Sequence, residues 1–156
     1  MSTQLTYSTV TPGAGLKAAA GMKRADIMGE VRKAGLRGRG GAGFPTSVKW
    51  DLAAAAKGDE KYVVCNADEG EPGTFKDRVI LSEHAELVFE GMAIAARAIG
   101  ARRGLFYLRG EYTYLRPHLE EVLAECRKNG WLGKKIQGTE GFDFDIEVRM
   151  GSGAYI

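Results

Sequence analysis

Apolar residues follow a helical spacing in several segments of this chain. In residues 24–34 the apolar side chains of Ile27, Val31 and Ala34 share one helical face, and Gly35 ends the segment. Similar reasoning predicts further helices over residues 46–57, over residues 83–99, and from near Pro117 to the pair Asn129 and Gly130. Helices therefore recur along most of the chain.

Three short segments between these helices predict β-strands. Residues 61–65 and 105–108 are apolar runs, typical of strands that are buried on both faces. Residues 142–150 alternate between apolar and charged side chains, which predicts a strand with one solvated face. Strands that alternate with helices of this length predict an α/β fold, a layered Rossmann-like domain with a mostly parallel sheet flanked by helices.

The two ends of the chain differ from the middle. Residues 1–20 show no sustained period and predict an N-terminal tail, mobile or partly ordered, which leaves residues 21–156 as one domain. The last strand runs into a glycine-rich turn at residues 151–156, and in an α/β protein such a turn leads into another helix. We therefore expect the domain to be incomplete at its C-terminus.

Composition excludes several classes of protein. The chain is 44% hydrophobic and 27% charged, as in soluble globular domains, and its net charge of +2 does not indicate a nucleic-acid partner. It has no apolar run of membrane-spanning length and no secretory signal, so we expect a cytoplasmic protein, or one anchored to a membrane only through partners, without direct membrane insertion. Two cysteines cannot supply the four thiolates of an iron–sulfur cluster, and we predict no metal ligands.

A glycine-rich loop follows the first predicted helix. Residues 38–43 read GRGGAG and match the spacing G-x-G-x-x-G, but a helix precedes them where the dinucleotide-binding fingerprint requires a strand. Gly38, Gly40, Gly41 and Gly43 let the main chain approach a flat ring or a phosphate, and Arg39 and Lys49 add positive charge. A flexible linker and an RNA-binding RGG tract remain alternative interpretations of this loop alone.

A second loop carries oxygen atoms. Residues 66–73, NADEGEPG, follow the strand at 61–65, and ligands of open α/β sheets bind beyond the carboxyl ends of strands. Asn66 offers a donor and an acceptor, whereas Asp68, Glu69 and Glu71 offer acceptors suited to ribose hydroxyls or the N–H groups of a flavin. An acidic loop of this kind is often only a solvated turn, but together the two loops predict a mononucleotide site.

The two loops also resemble a known family. The segments GLRGRGGAGFPTSVKW and YVVCNADEGEPGTFKDR closely resemble the FMN- and NADH-binding flavoprotein subunit of respiratory complex I and its relatives in NAD-reducing hydrogenases and NAD-dependent formate dehydrogenases. The segments GARRGLFYLRGEYTYLRPHLE and GFDFDIEVRMGSGAYI look most like the diaphorase subunit of the hydrogenases. The resemblance covers residues 24–156.

The resemblance implies a role for each matching residue. Gly38, Arg39, Gly40, Gly41 and Lys49 would line the flavin site, Asn66, Asp68 and Glu69 would hydrogen-bond the flavin, and Tyr155 would lie near it. Phe44 would stack on the adenine of NADH, with Leu52 where some relatives have a second aromatic residue, and Glu71 would contact the nicotinamide nucleotide. The implied reaction is hydride transfer from NADH to FMN, which needs no acid or base from the protein.

The resemblance also implies partners and missing parts. Family members continue beyond the position of Ile156 into a loop that holds the FMN phosphate and a domain with an iron–sulfur cluster. Electrons would pass to a small iron–sulfur subunit and, on the closer resemblance, to hydrogenase or formate dehydrogenase subunits. The alternative is a truncated, non-catalytic relic that serves as an assembly domain.

We predict that this chain alone binds FMN weakly or not at all. Losing two charge-assisted contacts to the phosphate removes roughly 3–6 kcal/mol, about two to four decades in affinity. Quenching of flavin fluorescence measures the affinity, and a micromolar dissociation constant for the isolated chain would contradict the prediction.

Overall fold

The computed structural model describes residues 10–152, which form a parallel sheet with helices packed on one face. Strands β1 (Tyr62–Ala67), β2 (Arg103–Leu108) and β3 (Asp145–Met150) lie in the order β1-β2-β3, and both pairs are parallel. The predicted α/β class with a parallel sheet is therefore confirmed. In the register, Asn66 lies opposite Tyr107, and Tyr107 lies opposite Arg149.

Six α-helices accompany this sheet within the described residues. They are α1 (Ala14–Ala20), α2 (Arg24–Lys33), α3 (Thr46–Ala55), α4 (Lys76–Glu83), α5 (Ala85–Ile99) and α6 (Arg116–Lys128). Two 3-10 helices, Gly110–Leu115 and Ile136–Gly138, complete the described elements. The sequence-predicted helices that correspond to α2, α3 and α6 are confirmed.

The core lies between α5 and the sheet. Phe89 on α5 packs edge to face against Phe106 on β2, with ring centroids 5.4 Å apart, and both side chains are fully buried. Helix α6 packs against β3, whereas α1, α2 and α3 pack against α5. The long apolar helix α5 thus packs against both the sheet and the N-terminal helices α1, α2 and α3.

The opposite face of the sheet is uncovered in the described part of the chain. The prediction that the first strand is buried on both faces is wrong, because Val64 is 62% exposed and its neighbour Tyr62 is also exposed. The predicted alternation of the last strand is confirmed, with Ile146 and Val148 buried and Glu147 exposed. A parallel sheet usually has both faces covered, so this open face is a distinctive feature of the structure.

Two helices depart from the sequence prediction. Helix α4 occupies a stretch whose beginning was predicted as loop, and a break at His84 separates it from α5, so the predicted helix 83–99 begins instead at Ala85. The prediction of an N-terminal tail over residues 1–20 is wrong for residues 14–20, because they form α1 and Leu16 is completely buried. Residues 1–9 lie outside the described residues.

A buried carboxylate explains why α1 forms. Glu90 on α5 accepts hydrogen bonds from the N–H groups of Gly13 and Leu16, both at 2.8 Å. These two donors lie at the start of α1, where main-chain N–H groups lack helical partners and attract negative charge. Because the acceptor is more than 70 residues away in sequence, local periodicity could not indicate this helix.

We expect the substitution Glu90→Ala to lower the free energy of unfolding by about 2–4 kcal/mol, because it leaves two buried N–H donors without an acceptor. Urea denaturation measures this change. Glu121→Ala is the matched control, since Glu121 is exposed on α6, and it should stay within about 0.5 kcal/mol of wild type. Equal stability of the two variants would contradict the proposed capping role.

Within residues 10–152, no helix combines the length and the apolar character needed to cross a lipid bilayer.

Candidate functional site

An open cleft of about 900 Å³ lies over the uncovered face of the sheet, at the carboxyl ends of β1 and β2. Its lining includes Val64 and Asn66 from β1 and Tyr107 from β2, which are neighbours on that face. The volume lies within the range of small-molecule sites, and the position is the one where open α/β sheets bind their ligands. The topology therefore places a candidate binding site here.

The cleft brings together parts of the two loops that the sequence singled out. Of the predicted site residues, those that line it are Arg39, Gly40, Asn66, Asp68, Glu69 and Glu71. The others within the described residues, Gly38, Gly41, Gly43, Phe44 and Lys49, do not line it, and Tyr155 lies outside the described residues. The loops share one cleft, whereas the ligand contacts of these residues stay predictions.

Main-chain hydrogen bonds close the glycine loop into a compact turn between α2 and α3. The N–H of Gly38 donates to the carbonyl of Phe44 at 2.9 Å, and the N–H of Thr46 donates to the carbonyl of Leu36 at 3.0 Å. The guanidinium of Arg37 also donates to the carbonyl of Gly43 at 3.1 Å. This closure fixes the course of the loop, in contrast to an extended linker.

Two glycines of the loop have different physical reasons to lack a side chain. Gly41 has a φ of +107°, a conformation that side chains rarely adopt. Gly40 has no positive φ, and a Cβ built on it would meet no protein atom within 4 Å. Neither conformation nor protein packing requires glycine at position 40, and this residue faces the cleft.

Helix α3 begins at the end of the loop without a side-chain cap. Thr46 is the first residue of this helix, and Pro45 occupies the capping position. Ser47 is buried within the first turn. The fixed φ of a proline suits this position at the start of a helix.

The acidic loop begins with a tight turn at the end of β1. The side-chain oxygen of Asn66 accepts a hydrogen bond from the N–H of Asp68 at 3.1 Å, a common local contact of asparagine. Glu69 then adopts a φ of +37°, which costs a residue other than glycine about 1–2 kcal/mol. Other contacts must hold Glu69 in this conformation.

The carboxylate of Glu69 is completely buried and accepts several hydrogen bonds. The N–H groups of Asp77 and Arg78 donate to it at 2.6 and 3.4 Å, and the hydroxyl of Tyr112 donates at 2.7 Å. The ammonium group of Lys76 lies 3.5 Å away, and the side chain of Glu69 is 0% exposed. Glu69 thus caps the N-terminus of α4, which explains why this short helix forms.

These contacts also determine how Glu69 meets the cleft. Because its side chain is fully buried while the residue lines the cleft, the surface that it presents to a ligand is main chain. Burial works to raise the pKa of the carboxyl group, but the donors from Asp77, Tyr112 and Arg78 outweigh burial and lower the pKa below its ordinary value. Burial and the bond to Glu69 raise the pKa of Tyr112 to about 12. The carboxylate assigned to flavin binding from sequence is therefore engaged within the protein.

An apolar stripe lies on the surface of α3. Val48 and Leu52 are exposed and lie four residues apart on one face of α3, and Phe44, which precedes the helix, is exposed as well. Phe44 and Leu52 are the positions that the family resemblance assigns to the adenine of NADH. Neither residue belongs to the lining of the cleft.

Sequence reasoning did not predict six of the residues that line the cleft, which are Val64, Gly70, Thr74, Lys76, Asp77 and Tyr107. Val64 and Tyr107 form an apolar part of its lining, and Thr74 and Lys76 contribute polar groups near α4. Tyr107 could have been found by extending the period of two along β2, since it lies directly opposite Asn66. Lys76 could not, because its position depends on a helix that the sequence did not predict.

The fold and the cleft define an α/β domain with a candidate ligand site at the carboxyl edge of a parallel sheet. The chain belongs to the family of the Nuo51 FMN-binding domain, whose model matches residues 31–156.

Individual relatives agree with this assignment. The alpha subunit of the NAD-reducing hydrogenase HoxS of Cupriavidus necator is 56% identical over 135 residues, which make up 86% of this chain and 22% of that protein. An NADH-quinone oxidoreductase subunit of Escherichia coli is 47% identical over 141 residues, or 90% of this chain and 32% of that protein. The chain thus spans less than a third of the length of either relative.

A solved structure gives the same result for the fold. A crystal structure of an NAD+-reducing NiFe-hydrogenase in the H2-reduced state superposes with a TM-score of 0.82 at 42% sequence identity. The match covers 99% of this chain and 26% of the hydrogenase chain. The predicted resemblance to the N-terminal portion of this family is confirmed.

The lowered pKa of Glu69 predicts a pH-dependent difference between wild type and Glu69→Gln. The stability that ionised Glu69 contributes is complete above the unfolded-state pKa of about 4.3 and is lost as the pH falls through the lower folded-state pKa. We expect the variant to be about 1–3 kcal/mol less stable at pH 7, with the difference shrinking toward pH 3.

Urea denaturation across this pH range measures the difference. Glu71→Gln is the control in the same loop, because the side chain of Glu71 is exposed. Its difference in free energy of unfolding from wild type should not shrink toward pH 3. A difference between Glu69→Gln and wild type that stays constant down to pH 3 would contradict the role of the ionised carboxylate.

Proposed function

We propose that this chain forms the FMN- and NADH-binding part of an electron-entry flavoprotein. In this function NADH is oxidised by hydride transfer to FMN, and the electrons pass to iron–sulfur clusters of partner subunits. The observation that carries the proposal is the shared cleft, where the bare main chain of Gly40 and the oxygen-lined loop at 66–71 lie over an apolar part of the sheet.

The residues of the cleft fit FMN. Neither the main-chain conformation nor the packing of the protein requires a glycine at position 40. A glycine there is expected if a flat ring lies against the main chain. Val64 provides an apolar surface for such a ring, and Arg39 provides positive charge. Asn66 and Asp68 offer the donor and acceptors that the polar edge of a flavin requires.

The protein residues in this proposal bind and orient, and none acts as an acid or a base. FMN, when bound, supplies the capacity to accept a hydride from NADH and to release electrons singly. The closed glycine loop presents the bare main chain of Gly40 to the cleft, while the turn at Asn66 and Asp68 fixes the acceptors on another side. Alignment of two bound rings in this way is a large contribution to catalysis.

The remaining predicted residues have supporting roles in the proposal. Phe44 and Leu52 present exposed apolar surface to the adenine of NADH, and Glu71 lines the cleft where the nicotinamide nucleotide would enter. Gly41 and Gly43 have positive φ values and shape the loop. Contacts of Gly38, Lys49 and Tyr155 with the flavin remain part of the proposal on the family resemblance alone.

We further propose a small iron–sulfur subunit as the direct partner, with hydrogenase or formate dehydrogenase subunits beyond it, in the cytoplasm. Two relatives carry names that fit this setting, an NAD-reducing hydrogenase alpha subunit and an NADP-reducing hydrogenase subunit HndC of Solidesulfovibrio fructosivorans. The iron–sulfur clusters would lie in partner subunits or in the part of the family that this chain does not span.

A second candidate is a non-catalytic assembly domain. The uncovered face of the sheet favours it, since exposed apolar side chains such as Val64 on a parallel sheet are typical of a surface that another polypeptide covers. In this case the chain would join a complex without oxidising NADH.

The proposal predicts that the complex purified with its partner subunits contains FMN and reduces ferricyanide rapidly with NADH. The substitution Gly40→Ala should lower the FMN affinity of that complex about 10- to 100-fold, because the added methyl group would occupy the space of the flavin ring. Fluorescence of released flavin measures FMN content and affinity.

Gly91→Ala is the matched control for this experiment. Gly91 is exposed on α5, and a Cβ there also meets no protein atom within 4 Å, so FMN binding should not change. A complex with no NADH–ferricyanide activity and no flavin would favour the assembly domain. Unchanged FMN affinity in Gly40→Ala would contradict the placement of the ring against this loop.

A further inference from the structure

Arg109 and Tyr112, which follow β2 in the chain, donate hydrogen bonds to Glu69 in the acidic loop. Tyr112 is only 8% exposed, and its hydroxyl donates to the carboxylate of Glu69 at 2.7 Å. The guanidinium of Arg109 donates to the main-chain carbonyl of Glu69. Neither Arg109 nor Tyr112 lines the cleft, so neither is placed to touch a ligand there.

We propose that Arg109 and Tyr112 are positioning residues, which keep Glu69 in its left-handed conformation and thereby orient Asp68 toward the ligand. The identity of that ligand as FMN rests on the proposed function. The positioning itself rests on the contacts of the loop and can be tested without a ligand.

The contacts bracket Asp68 on both sides. The N–H of Arg109 donates to the carbonyl of Ala67 at 3.0 Å, just before Asp68, and its guanidinium binds the carbonyl of Glu69, just after it. The N–H of Asp68 itself donates to Asn66. With the carbonyls of both neighbours and its own N–H engaged, the main chain of Asp68 has one favoured orientation.

The strain at Glu69 makes these contacts necessary. A φ of +37° is unfavourable for glutamate, and such a conformation persists only where surrounding contacts determine it. Tyr112 and the N-terminus of α4 hold the carboxylate, and Arg109 holds the carbonyl of the same residue. Removing one of these contacts should therefore release the loop locally before it unfolds the domain.

Arg109 is suited to this role by the geometry of its side chain. Besides the carbonyl of Glu69, its guanidinium binds the carboxylate of Glu111 at 3.0 Å and lies over the ring of Tyr112, 5.8 Å from the centroid. A planar guanidinium makes several directed contacts at once, which an ammonium group cannot reproduce. The substitution Arg109→Lys keeps the charge and tests the geometry.

The test is hydrogen exchange of residues 66–73 in the full chain, measured by mass spectrometry or NMR. We expect Tyr112→Phe and Arg109→Lys each to raise exchange of this loop about tenfold or more, by an amount beyond any change in global unfolding. Exchange within α5 should stay as in wild type. Tyr114→Phe is the matched control, because Tyr114 lies on the same 3-10 helix and is 63% exposed.

The outcomes separate positioning from a general structural role. Loop exchange that equals wild type in both variants, or that rises uniformly with the rest of the domain, would overturn the proposal. In the complex with its partner subunits, Tyr112→Phe should also weaken FMN binding about tenfold while Tyr114→Phe does not. If wild type binds no FMN, the proposed function fails, and loop exchange still decides the role of these two residues.

Discussion

The buried carboxylate of Glu69 is the contact on which the candidate site depends. It caps α4, receives the hydroxyl of Tyr112, and belongs to a residue in a conformation that glutamate avoids. A buried charge is stable only when donors surround it, so the loop, the helix and the segment after β2 must come together at one point. Because this point follows β1 directly, the same contacts fix the edge of the cleft.

A second buried carboxylate has the same role between α5 and α1. Glu90 caps α1 across a long sequence separation, as Glu69 joins α4 to Tyr112. Both helices are short, with seven and eight residues, and neither has a side-chain cap of its own next to its first turn. Short helices are marginal alone, so these two exist because tertiary contacts satisfy their first N–H groups.

This dependence explains what the sequence could and could not predict. The alternating strand that ends at Met150, the helix after Pro117 and the convergence of the two loops at the carboxyl edge follow from local spacing and from the rule for parallel sheets. Helices α1 and α4 were missed because neither is capped by an adjacent residue: the cap of α1 lies more than 70 residues away, and that of α4 is Glu69 in the preceding loop. The apolar run at β1 predicted two buried faces, since the sequence cannot distinguish a strand covered by a helix from one that faces a cleft.

The exposed face of β1 connects the fold with the cleft. Val64 and Tyr107 lie near the cleft, whereas the same face of β3 carries Glu147 and Arg149, which are solvated and paired at 2.9 Å. The charged side of the face is thus stable in water, and the apolar side is the part that gains from being covered. A flat ring over Val64 would remove apolar surface from water, so a bound ligand would complete this face of the sheet and stabilise the domain by mass action as well.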